Sequence, residues 1–335
     1  MAHALIIGGS GQIGRATAAR LLDAGWAVTV GQKRPERFPA ALIARGAHAV
    51  ALDRQAPDAL AKVAAGGFDA VIDTVAFDEG HARQLLEIEG DVGAFVVISS
   101  GSVYRDAAGR TLDEAATNGF PDLPVPITED QPTIAPGPAT YSTRKAALEQ
   151  TLLQVASRPV TILRPFAIHG AGSNHIREAW FVKRILDGRQ RVPLAWNGES
   201  RFHTTATANL AELIRVVLAS PRTHVLNAAD PDAPSVAEIG ATIRGRFNAV
   251  VELTLFEGPP RNGVGATPWS VPAPLVADMR RAEALGYRPV GTYAETVGTA
   301  CRAAEAMIAT GESFIGYVEA MFGYAAEDRF LAGDA

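Results

Sequence analysis

The stretch Gly8-Gly9-Ser10-Gly11-Gln12-Ile13-Gly14 decides the fold of this chain. It follows the apolar run Ala4-Leu5-Ile6-Ile7 and precedes residues 15–22, whose apolar positions have helical spacing. This order predicts a strand, a tight glycine turn and a helix. Such a turn lets a pyrophosphate approach the backbone closely, at a helix start whose unpaired N–H groups carry partial positive charge.

The glycines of this stretch can be interpreted in two ways. Gly9, Gly11 and Gly14 fit the pattern G-x-G-x-x-G, whereas Gly8, Gly11 and Gly14 fit G-x-x-G-x-x-G. A glycine pattern alone is weak evidence, because a glycine-rich turn between a strand and a helix also occurs in other α/β proteins. The dinucleotide interpretation therefore depends on residues further along the chain.

The composition of the 335-residue chain narrows the classes of function. The formal net charge is -5 and 20% of the residues are charged, which provides no basic field for nucleic acid. A single cysteine, Cys301, excludes a disulfide framework and a thiolate metal site within one chain, and the seven histidines have no ligand spacing. The N-terminus shows no secretory leader, and no apolar run approaches the roughly 20 residues that span a bilayer. We therefore expect a soluble cytoplasmic protein without a bound metal.

Short apolar runs alternate with helical patterns through the first half of the chain. The further predicted strands lie at residues 28–30, 47–52, 70–76, 94–100 and 160–164. This alternation predicts an α/β fold with a doubly wound Rossmann parallel sheet that is covered on both faces. Ligands of such folds bind beyond the carboxyl ends of the strands. The segments predicted to lie at those ends are residues 8–14, Asp53, residues 74–76 and residues 99–100.

The second half is less regular and predicts a smaller C-terminal substrate-binding domain. Predicted helices span residues 209–218, 236–247, 274–285 and 293–310, and predicted strands span 224–227 and 250–256. We assign residues 1–168, with a return near 202–230, to the dinucleotide-binding domain, and residues 169–201 and 231–335 to the smaller domain.

A proline-rich segment interrupts the alternation at residues 105–138. Its six prolines predict mostly loop. Loops of this length are usually either functional or disordered. The segment is therefore interpreted either as a lid or as a surface decoration.

Tyr141 and Lys145 carry the sharpest chemical signal. They lie four residues apart on a helix predicted from Tyr141 to about Val155, so they share one helix face. A neighbouring ammonium lowers the pKa of a phenol from its usual value of about 10. The pair could then move a proton at a substrate oxygen while a nicotinamide exchanges hydride, and Lys145 could also bind the cofactor ribose. Alone, the Y-x-x-x-K pattern can equally be a solvated helix face.

With these motifs in this order, the chain resembles the extended short-chain dehydrogenase/reductases, the NAD-dependent epimerase/dehydratase group. The resemblance covers nearly the whole chain. The segments that carry it are residues 8–14, Asp53, Ser99-Ser100-Gly101-Ser102-Val103-Tyr104, residues 141–145, Leu163-Arg164-Pro165-Phe166-Ala167-Ile168-His169-Gly170, residues 226–231 and residues 281–289.

The resemblance implies roles for individual residues. The family's catalytic Ser or Thr lies four residues before the Tyr of the S-x-x-V-Y run, which is Ser100 here, with Ser102 as the competing hydroxyl. The predicted catalytic residues are therefore Ser100, Tyr141 and Lys145. The predicted cofactor contacts are Gly8, Gly9, Ser10, Gly11, Gln12, Ile13, Gly14, Gln32, Lys33, Arg34, Asp53, Arg54, Thr74, Val75, Ala76, Ser99, Tyr141, Lys145, Pro165 and Phe166. The predicted substrate contacts are Phe77, Ser102, Ala167, His169, His175, Arg201 and His203, with Asn174 among them.

NADP is predicted as the cofactor in preference to NAD. An NAD site usually places Asp or Glu at the end of the second strand, where the carboxylate binds the ribose hydroxyls. Counted from Gly8, that position is Gln32, followed by Lys33 and Arg34. These cations, with Arg15 as a third candidate, would attract a 2′-phosphate. The alternative is that they are solvated loop charges.

Departures from the family pattern bear on the substrate. Ala167 replaces the Asn that many sugar-nucleotide members have in the R-P-x-N run, and Asn209 replaces an Asp. Arg201 is the one Arg in the segments expected to line a pocket between the two domains. We therefore favour a small unphosphorylated sugar, polyol or ketone over a sugar nucleotide. Alternatively, Arg177 or Arg261 provides phosphate contacts.

The combined prediction is an NAD(P)-dependent oxidoreductase or epimerase that acts on a small molecule, with no nucleic-acid or membrane partner. The alternatives are a sugar-nucleotide epimerase or dehydratase and a non-catalytic regulator, although such regulators usually lack the Tyr/Lys pair. The absence of a basic stripe counts against an RNA-associated member. A hydrolase is disfavoured because no serine lies in a G-x-S-x-G elbow. Close relatives pair the 141–155 helix with a helix near 81–88, which predicts a homodimer.

Overall fold

The apolar run at the N-terminus forms the central strand of a parallel sheet. In this computed structural model, which describes residues 1–173, 175–314 and 321–333, the strand is followed by the predicted glycine turn and helix. The strands are β1 His3–Ile7, β2 Ala27–Gln32, β3 His48–Ala51, β4 Ala70–Asp73, β5 Phe95–Ile98, β6 Val160–Pro165, β7 Ala167–His169, β8 Arg191–Leu194, β9 Thr204–Ala206, β10 His224–Ala228 and β11 Glu252–Leu255. The helices are α1 Gln12–Asp23, α2 Ala40–Ala44, α3 Ala59–Ala64, α4 Glu79–Glu87, α5 Ala115–Asn118, α6 Tyr141–Val155, α7 Ala179–Leu186, α8 Thr207–Ala219, α9 Val236–Arg246, α10 Arg280–Ala284, α11 Tyr293–Thr296, α12 Gly298–Thr310 and α13 Ala325–Ala332.

Seven strands form one wholly parallel sheet in the order β10-β6-β5-β4-β1-β2-β3. Consecutive residues of a strand point to opposite faces, and all of Ala4, Leu5, Ile6 and Ile7 are at most 2% exposed. Both faces are therefore covered, as the sequence predicts. Helices α3, α4 and α6 pack on the face that carries Leu5, and α1 packs against α8.

The strand order reverses between β1 and β4, which are hydrogen-bonded neighbours. The crevice at such a reversal is where doubly wound folds bind their ligands. At this point the glycine turn follows β1 and Thr74 follows β4. Thr74 contacts the turn directly, because its hydroxyl donates to the Ile7 carbonyl at 2.9 Å.

The chain divides into two units whose boundaries differ from the predicted ones. The first unit comprises Met1–Phe166, Thr207–Ala229 and Ala277–Val290, and the second comprises Ala167–Ala206, Asp230–Val276 and Gly291–Ala335. The return begins after β9 because β9 pairs with β7 of the second unit.

The segment 277–290, predicted in the smaller domain, belongs to the first unit. There Asp278 N–H donates to the Ile127 carbonyl at 2.8 Å, and α10 packs on β10.

The second unit has its own core. Two short parallel pairs, β7 with β9 and β8 with β11, accompany helices α7, α9 and α12. Trp180 and Trp269 are each at most 1% exposed in this core, where both rings pack on Phe181.

Two predicted helices of the second half differ in the structure. The helix expected over 274–285 is only α10, because Leu275 and Ala277 make bridges to Phe202 and Ile127 and are extended. The helix expected over 293–310 is interrupted at Val297. Within the described residues, no helix has the length and apolar character needed to cross a bilayer.

Candidate active site

The glycine turn is built by close contacts that exclude side chains at two of its positions. A Cβ on Gly9 would lie 1.7 Å from Cγ1 of Val30, and a Cβ on Gly14 would lie 2.5 Å from Cα of Gly9. Gly8 has φ +85°, in the left-handed region that favours glycine. These three glycines are therefore required by the turn itself and by the packing of α1 against it.

Gly11 is different, because no contact within the described part of the chain excludes a side chain there. A Cβ there would meet no atom closer than the Gly8 carbonyl oxygen at 3.5 Å, and its backbone is extended at φ -73°. Gly11 caps α1 without a side-chain hydrogen bond, and the first turn of α1 has no acidic residue. A backbone position without a side chain, at a helix start that has no acidic residue, leaves room for a pyrophosphate and does not repel it. Ser10, Gln12 and Ile13 complete the turn.

The end of β2 holds no carboxylate. Gln32 is buried, and its Nε2 donates to the carbonyls of Arg34 and Pro35 at 2.9 and 3.4 Å. Lys33 and Arg34 are exposed. Lys33 Nζ lies 3.1 Å from a carboxylate oxygen of Asp53, the second residue after β3. Lys33, which was predicted to attract a phosphate, is thus already paired with Asp53, which was predicted to contact the adenine.

Arg54 does not lie at the surface as a cofactor contact would. It is 8% exposed, and its guanidinium donates to the buried Asp73 carboxylate at 2.8 Å and to Gln84 at 3.1 Å. Asp73 in turn accepts the N–H of Val75 at 2.9 Å. The Arg54 side chain thus supports the Thr74-Val75-Ala76 segment through Asp73, and its contact with a cofactor stays a prediction.

Tyr141, Ser100 and Phe77 come together at the carboxyl end of the sheet. Tyr141 begins α6, and the Ser100 side chain lies close enough to the phenol to lower the pKa of Tyr141, while its hydroxyl accepts the N–H of Ser102 at 3.1 Å. The Phe77 ring, 47% exposed, stands edge-on to the Tyr141 ring with centroids 6.1 Å apart. Phe77 N–H donates to His81 Nδ1 at 3.0 Å, which fixes this exposed aromatic side chain at the site.

Lys145 lies one helical turn beyond Tyr141, as the spacing predicts. Its ammonium donates to the carbonyls of Ala76 and Ile98 at 2.5 and 2.8 Å, which are backbone groups after β4 and at the end of β5. Nζ is 5.7 Å from the centroid of the Tyr141 ring. Burial lowers the pKa of Lys145 to about 8, against the opposing effect of the Asp73 and Glu149 carboxylates.

The direction of the Tyr141 pKa is opposite to the predicted one. Burial raises the pKa of Tyr141, the hydrogen bond from Ser100 lowers it, and the carboxylate of Asp113 raises it further. Burial has the largest effect of the three. The phenol is therefore protonated at neutral pH.

The serines at the end of β5 have separate environments. Ser99 is buried and its hydroxyl donates to Glu149, which also forms a buried ion pair with Arg164. Ser102 Oγ is buried without a hydrogen-bond partner, out of reach of solvent. Ser100, half-buried, is the serine whose side chain affects the pKa of Tyr141, whereas the Ser99 hydroxyl is engaged by Glu149.

The end of β6 completes the site within the first unit. Pro165 is the last residue of β6, and the Phe166 ring covers Gly101 so closely that a Cβ on Gly101 would lie 2.7 Å from a ring carbon. This glycine is required for the placement of Phe166, which the sequence analysis did not recognise.

His169 and His203 are not exposed substrate contacts. They are 3% and 4% exposed in the second unit, where His169 Nε2 lies 2.8 Å from the Asp230 carboxylate and His203 Nε2 lies 2.9 Å from the Asp230 carbonyl. Asp230 also accepts from Thr204 Oγ1 and from the N–H of Ala206. Asp230, in the segment after β10, therefore holds both His169 at the end of β7 and His203 just before β9, so their Nε2 atoms are engaged within the protein.

The other predicted substrate contacts of the second unit are also largely engaged. Ala167 is buried, and its N–H donates to the His203 carbonyl. Arg201 donates to the Ala233 carbonyl at 2.5 Å and pairs with Glu238 at 3.2 Å. His175 is half-buried, and burial together with Arg177 lowers its pKa to about 4. Asn174 lies outside the described residues.

The carboxylates around Lys145 were not predicted from the sequence. Asp73 ends β4 and Glu149 lies one turn beyond Lys145 on α6, and both are buried. The signal was present, because a charged residue inside an otherwise apolar strand needs a partner. The spacing of Lys145 and Glu149 also places both on one face of α6.

Comparison with known proteins identifies relatives at the levels of sequence profile and fold. Residues 4–229 match the profile of the NAD dependent epimerase/dehydratase family. A comparison with curated protein sequences gave no significant match.

Among solved structures, a UDP-glucose 4-epimerase from Stenotrophomonas maltophila with bound NAD is 17% identical, with a TM-score of 0.70 over 92% of this chain and 100% of that chain. A UDP-glucuronic acid 4-epimerase from Bacillus cereus is 17% identical, with a TM-score of 0.66 over 91% of this chain and 99% of that chain. A dTDP-glucose 4,6-dehydratase from Bacillus anthracis, in complex with NAD, is 15% identical, with a TM-score of 0.68 over 91% and 97%. At these identities the comparisons establish a shared fold.

Proposed function

This chain belongs to the NAD dependent epimerase/dehydratase family, and on that premise we propose that it is an NAD(P)-dependent enzyme that reduces or oxidises a small carbonyl or alcohol substrate. The observation that carries the proposal is the convergence of Ser100, Tyr141 and Lys145 at the carboxyl end of the sheet. A non-catalytic regulator would have no use for a buried ammonium beside a phenol.

Each of the three side chains has a distinct role in the proposal. Tyr141, protonated at neutral pH, donates its proton to the substrate oxygen during reduction and takes it back during oxidation. Ser100 hydrogen-bonds the phenol and orients it. Lys145 fixes the backbone after β4 and at the end of β5 through two carbonyls and keeps a third N–H donor for a cofactor hydroxyl. A bound nicotinamide supplies or accepts the hydride.

The proposed place of the dinucleotide is the glycine turn, with its pyrophosphate at Gly11 and the start of α1. The segment Thr74-Val75-Ala76 lines the same crevice because it follows β4, the strand next to β1. Asp53, at the end of β3, is the proposed contact of the adenine.

We propose that the protein prefers NADP, whose ribose carries a 2′-phosphate, over NAD. A carboxylate at the end of β2 would repel a 2′-phosphate, and Gln32 is neutral with Lys33 and Arg34 exposed next to it. The Lys33–Asp53 pair opposes this preference, because a phosphate would compete with Asp53 for the ammonium.

Titration with both dinucleotides tests the preference. The wild type is expected to bind NADP more tightly than NAD, and Lys33→Ala with Arg34→Ala to weaken NADP binding about tenfold while leaving NAD binding unchanged. Arg83→Ala, which removes an exposed cation paired with Glu79 on α4, is the control. Tighter binding of NAD to the wild type would overturn the preference.

The proposed substrate is a small unphosphorylated sugar, polyol or ketone. A nucleotide diphosphate usually takes fork-shaped Arg contacts. Arg201 is engaged with Glu238 and Ala233, Arg177 donates to the Ile168 carbonyl at 3.2 Å, and Arg261 stacks on Phe256 at 5.1 Å. A sugar-nucleotide epimerase or dehydratase is the second candidate, because the solved relatives are of that kind.

Calorimetry decides between the two substrate classes. Purified protein saturated with its dinucleotide is titrated with UDP, CDP and dTDP, and then mixed with a panel of carbonyls and alcohols while the absorbance of the reduced nicotinamide is followed. No binding of the nucleotide diphosphates, together with turnover of a panel member, supports the proposal. Micromolar binding of any of the three would assign a sugar-nucleotide substrate instead.

A further inference from the structure

The first part of the proline-rich segment is a folded unit and not a loose loop. Asp106 is buried and accepts three hydrogen bonds, from Arg110 N–H at 2.8 Å, from Arg110 Nε at 2.7 Å and from the N–H of Asp122 at 3.0 Å. The chain between them carries the short helix α5. These contacts hold residues 106–122 as a closed excursion between β5 and α6.

This excursion contacts the helix that begins with Tyr141. The carboxylate of Asp113 accepts the N–H of Ser142 at 2.6 Å, and Ser142 follows Tyr141 directly. The first N–H groups of a helix have no partner within the helix. Thr140 caps the N–H of Thr143, so Asp113 satisfies a different donor of the same turn. Ser142 Oγ also donates to the Ser102 carbonyl at 2.8 Å, which joins this turn to the end of β5.

Asp113 also brings a negative charge to the positive end of α6. The aligned peptide dipoles place partial positive charge at a helix start, which favours the phenolate of a tyrosine located there. A carboxylate at the same turn cancels part of this effect. Two side chains shift the pKa of the phenol, Asp113 from the excursion upward and Ser100 from the end of β5 downward, while Lys145 Nζ lies 5.7 Å from the centroid of the ring.

We propose that Asp113 is a positioning residue for the acid–base tyrosine: its carboxylate holds the first turn of α6 and places a negative charge beside the phenol of Tyr141. The inference rests on the proposed role of Tyr141 in catalysis. The excursion then supports the catalytic tyrosine. This function differs from both earlier interpretations of the proline-rich segment, a lid and a surface decoration. In the absence of Asp113 the phenol would lose its proton at lower pH, so the charge of Asp113 keeps Tyr141 in the protonated form needed for reduction up to a higher pH.

The phenol titration tests the charge effect without turnover. The ultraviolet absorbance of tyrosinate is followed with pH in the wild type and in Asp113→Asn, each minus the same protein carrying Tyr141→Phe. Asp113→Asn is expected to lower the Tyr141 midpoint by about half a pH unit at low salt, and the difference is expected to shrink at 1 M salt, where charges are screened over about 3 Å. Glu114→Gln removes the adjacent carboxylate, which accepts from Asn118 within the excursion, and is expected to leave the midpoint unchanged.

Hydrogen exchange of the Ser142 amide tests the positioning itself. Asp113→Ala removes the acceptor and is expected to speed this exchange about tenfold, whereas Asp113→Asn keeps an acceptor oxygen and most of the protection. Unchanged exchange in Asp113→Ala, or an unchanged Tyr141 midpoint in Asp113→Asn at low salt, would overturn the proposal. Neither readout depends on catalysis, so they remain decisive if Tyr141 proves not to be the acid. Only the proposed function is then lost.

Discussion

The pKa of Lys145 is set by opposing electrostatic effects. Its ammonium is 4% exposed, and burial of a charge favours the neutral amine. The carboxylates of Asp73, Glu149 and Asp78 favour the ammonium, whereas Arg54 disfavours it, and the resulting pKa is about 8. The site therefore keeps its positive charge at neutral pH and loses it in mildly alkaline solution.

A specific pH dependence follows for reduction. Reduction needs a protonated Tyr141 and a charged Lys145, so its rate is expected to fall as the pH rises through about 8, where Lys145 loses its proton. In Lys145→Arg the guanidinium does not lose its proton in this range, so whatever activity remains should show no decline there. The measurement is kcat/KM against pH for both proteins. A decline with the same midpoint in Lys145→Arg would assign it to another group.

At the residue level the sequence predicted that Tyr141 and Lys145 are neighbours, but not the electrostatic effects of their surroundings. The spacing of Tyr141 and Lys145 placed them side by side, because i,i+4 positions on a helix are neighbours. The direction of the Tyr141 pKa was predicted wrongly, since burial is not visible in a spacing. His169 was predicted as a substrate contact from its place in a segment expected to line the pocket, and its pairing with Asp230, 61 residues further along the chain, has no local signal in the sequence.

At the scale of elements, the glycines of the turn fall into two groups. Gly8, Gly9 and Gly14 are required by the fold, whereas Gly11 is proposed to make room for the ligand. A Cβ at position 14 would strike backbone atoms of Gly8 and Gly9 at 2.5–2.9 Å, whereas a Cβ at position 11 has room. Overpacking of this kind costs about 1–3 kcal/mol, whereas an unstrained surface change costs less than about 0.5 kcal/mol.

Gly14→Ala is therefore expected to lower the free energy of unfolding, and Gly11→Ala to leave it unchanged while weakening dinucleotide binding about tenfold. Chemical denaturation and calorimetry of both variants provide the comparison. Undiminished dinucleotide binding by a stable Gly11→Ala protein would remove the pyrophosphate from this position.

The excursion between β5 and α6 is expected to open in acid. The N–H of Asp122 holds the pKa of Asp106 down, burial opposes it, and Arg110 adds to the lowering, so that the pKa is about 2. In the unfolded chain it is about 3.9. A carboxyl whose pKa is lower in the folded state stabilises that state above the unfolded pKa and stops doing so as the pH falls through the folded one. Stabilisation by Asp106 is therefore present above about pH 4 and disappears towards pH 2.

Limited proteolysis with an acid-active protease can follow this opening. Cleavage within residues 106–122 is expected to increase as the pH falls from about 4 to 2 in the wild type, and Asp106→Asn is expected to be cleaved readily at every pH. Asp122→Asn is the control, since Asp106 accepts from the backbone of that residue. Equal resistance of Asp106→Asn and wild type would show that Asp106 does not hold the excursion.

Elements with regular periodicity were predicted closely, and irregular ones were not. Helix α6 has the predicted limits, because its capping box at Thr140 and its apolar spacing are local features. The excursion was predicted only as proline-rich loop, since the contacts that fold it join residues 16 positions apart, and the Asp113 contact to α6 joins residues 29 apart. Local sequence carries no signal for such pairings.

At the scale of the whole molecule, the homodimer remains a prediction. A groove between α4 and α6 is the surface that we expect a second copy to contact. The groove measures about 660 Å³ and is lined in part by Leu86, Ala147, Thr151 and Val155, the last 61% exposed. An apolar side chain exposed to this degree on a helix is suited to a contact with a second copy.

Mass in solution tests the dimer. The wild type is expected to be dimeric at micromolar concentration, and Ala147→Arg to be monomeric because it places a charge in the groove. Leu153→Arg changes a residue of α6 that is 38% exposed but does not line the groove, and should remain dimeric. A monomeric wild type would contradict the prediction.

The central claim is that Tyr141 transfers the proton in a nicotinamide-dependent reaction, and single-variant kinetics test it most directly. Turnover of a carbonyl or alcohol substrate, followed by the absorbance of the reduced nicotinamide, is compared between wild type and Tyr141→Phe. The phenylalanine ring preserves the edge-on packing on Phe77 and removes only the hydroxyl. The account predicts a loss of turnover of about 10²–10⁴-fold with dinucleotide affinity and stability nearly unchanged. Near-normal turnover in Tyr141→Phe would contradict it.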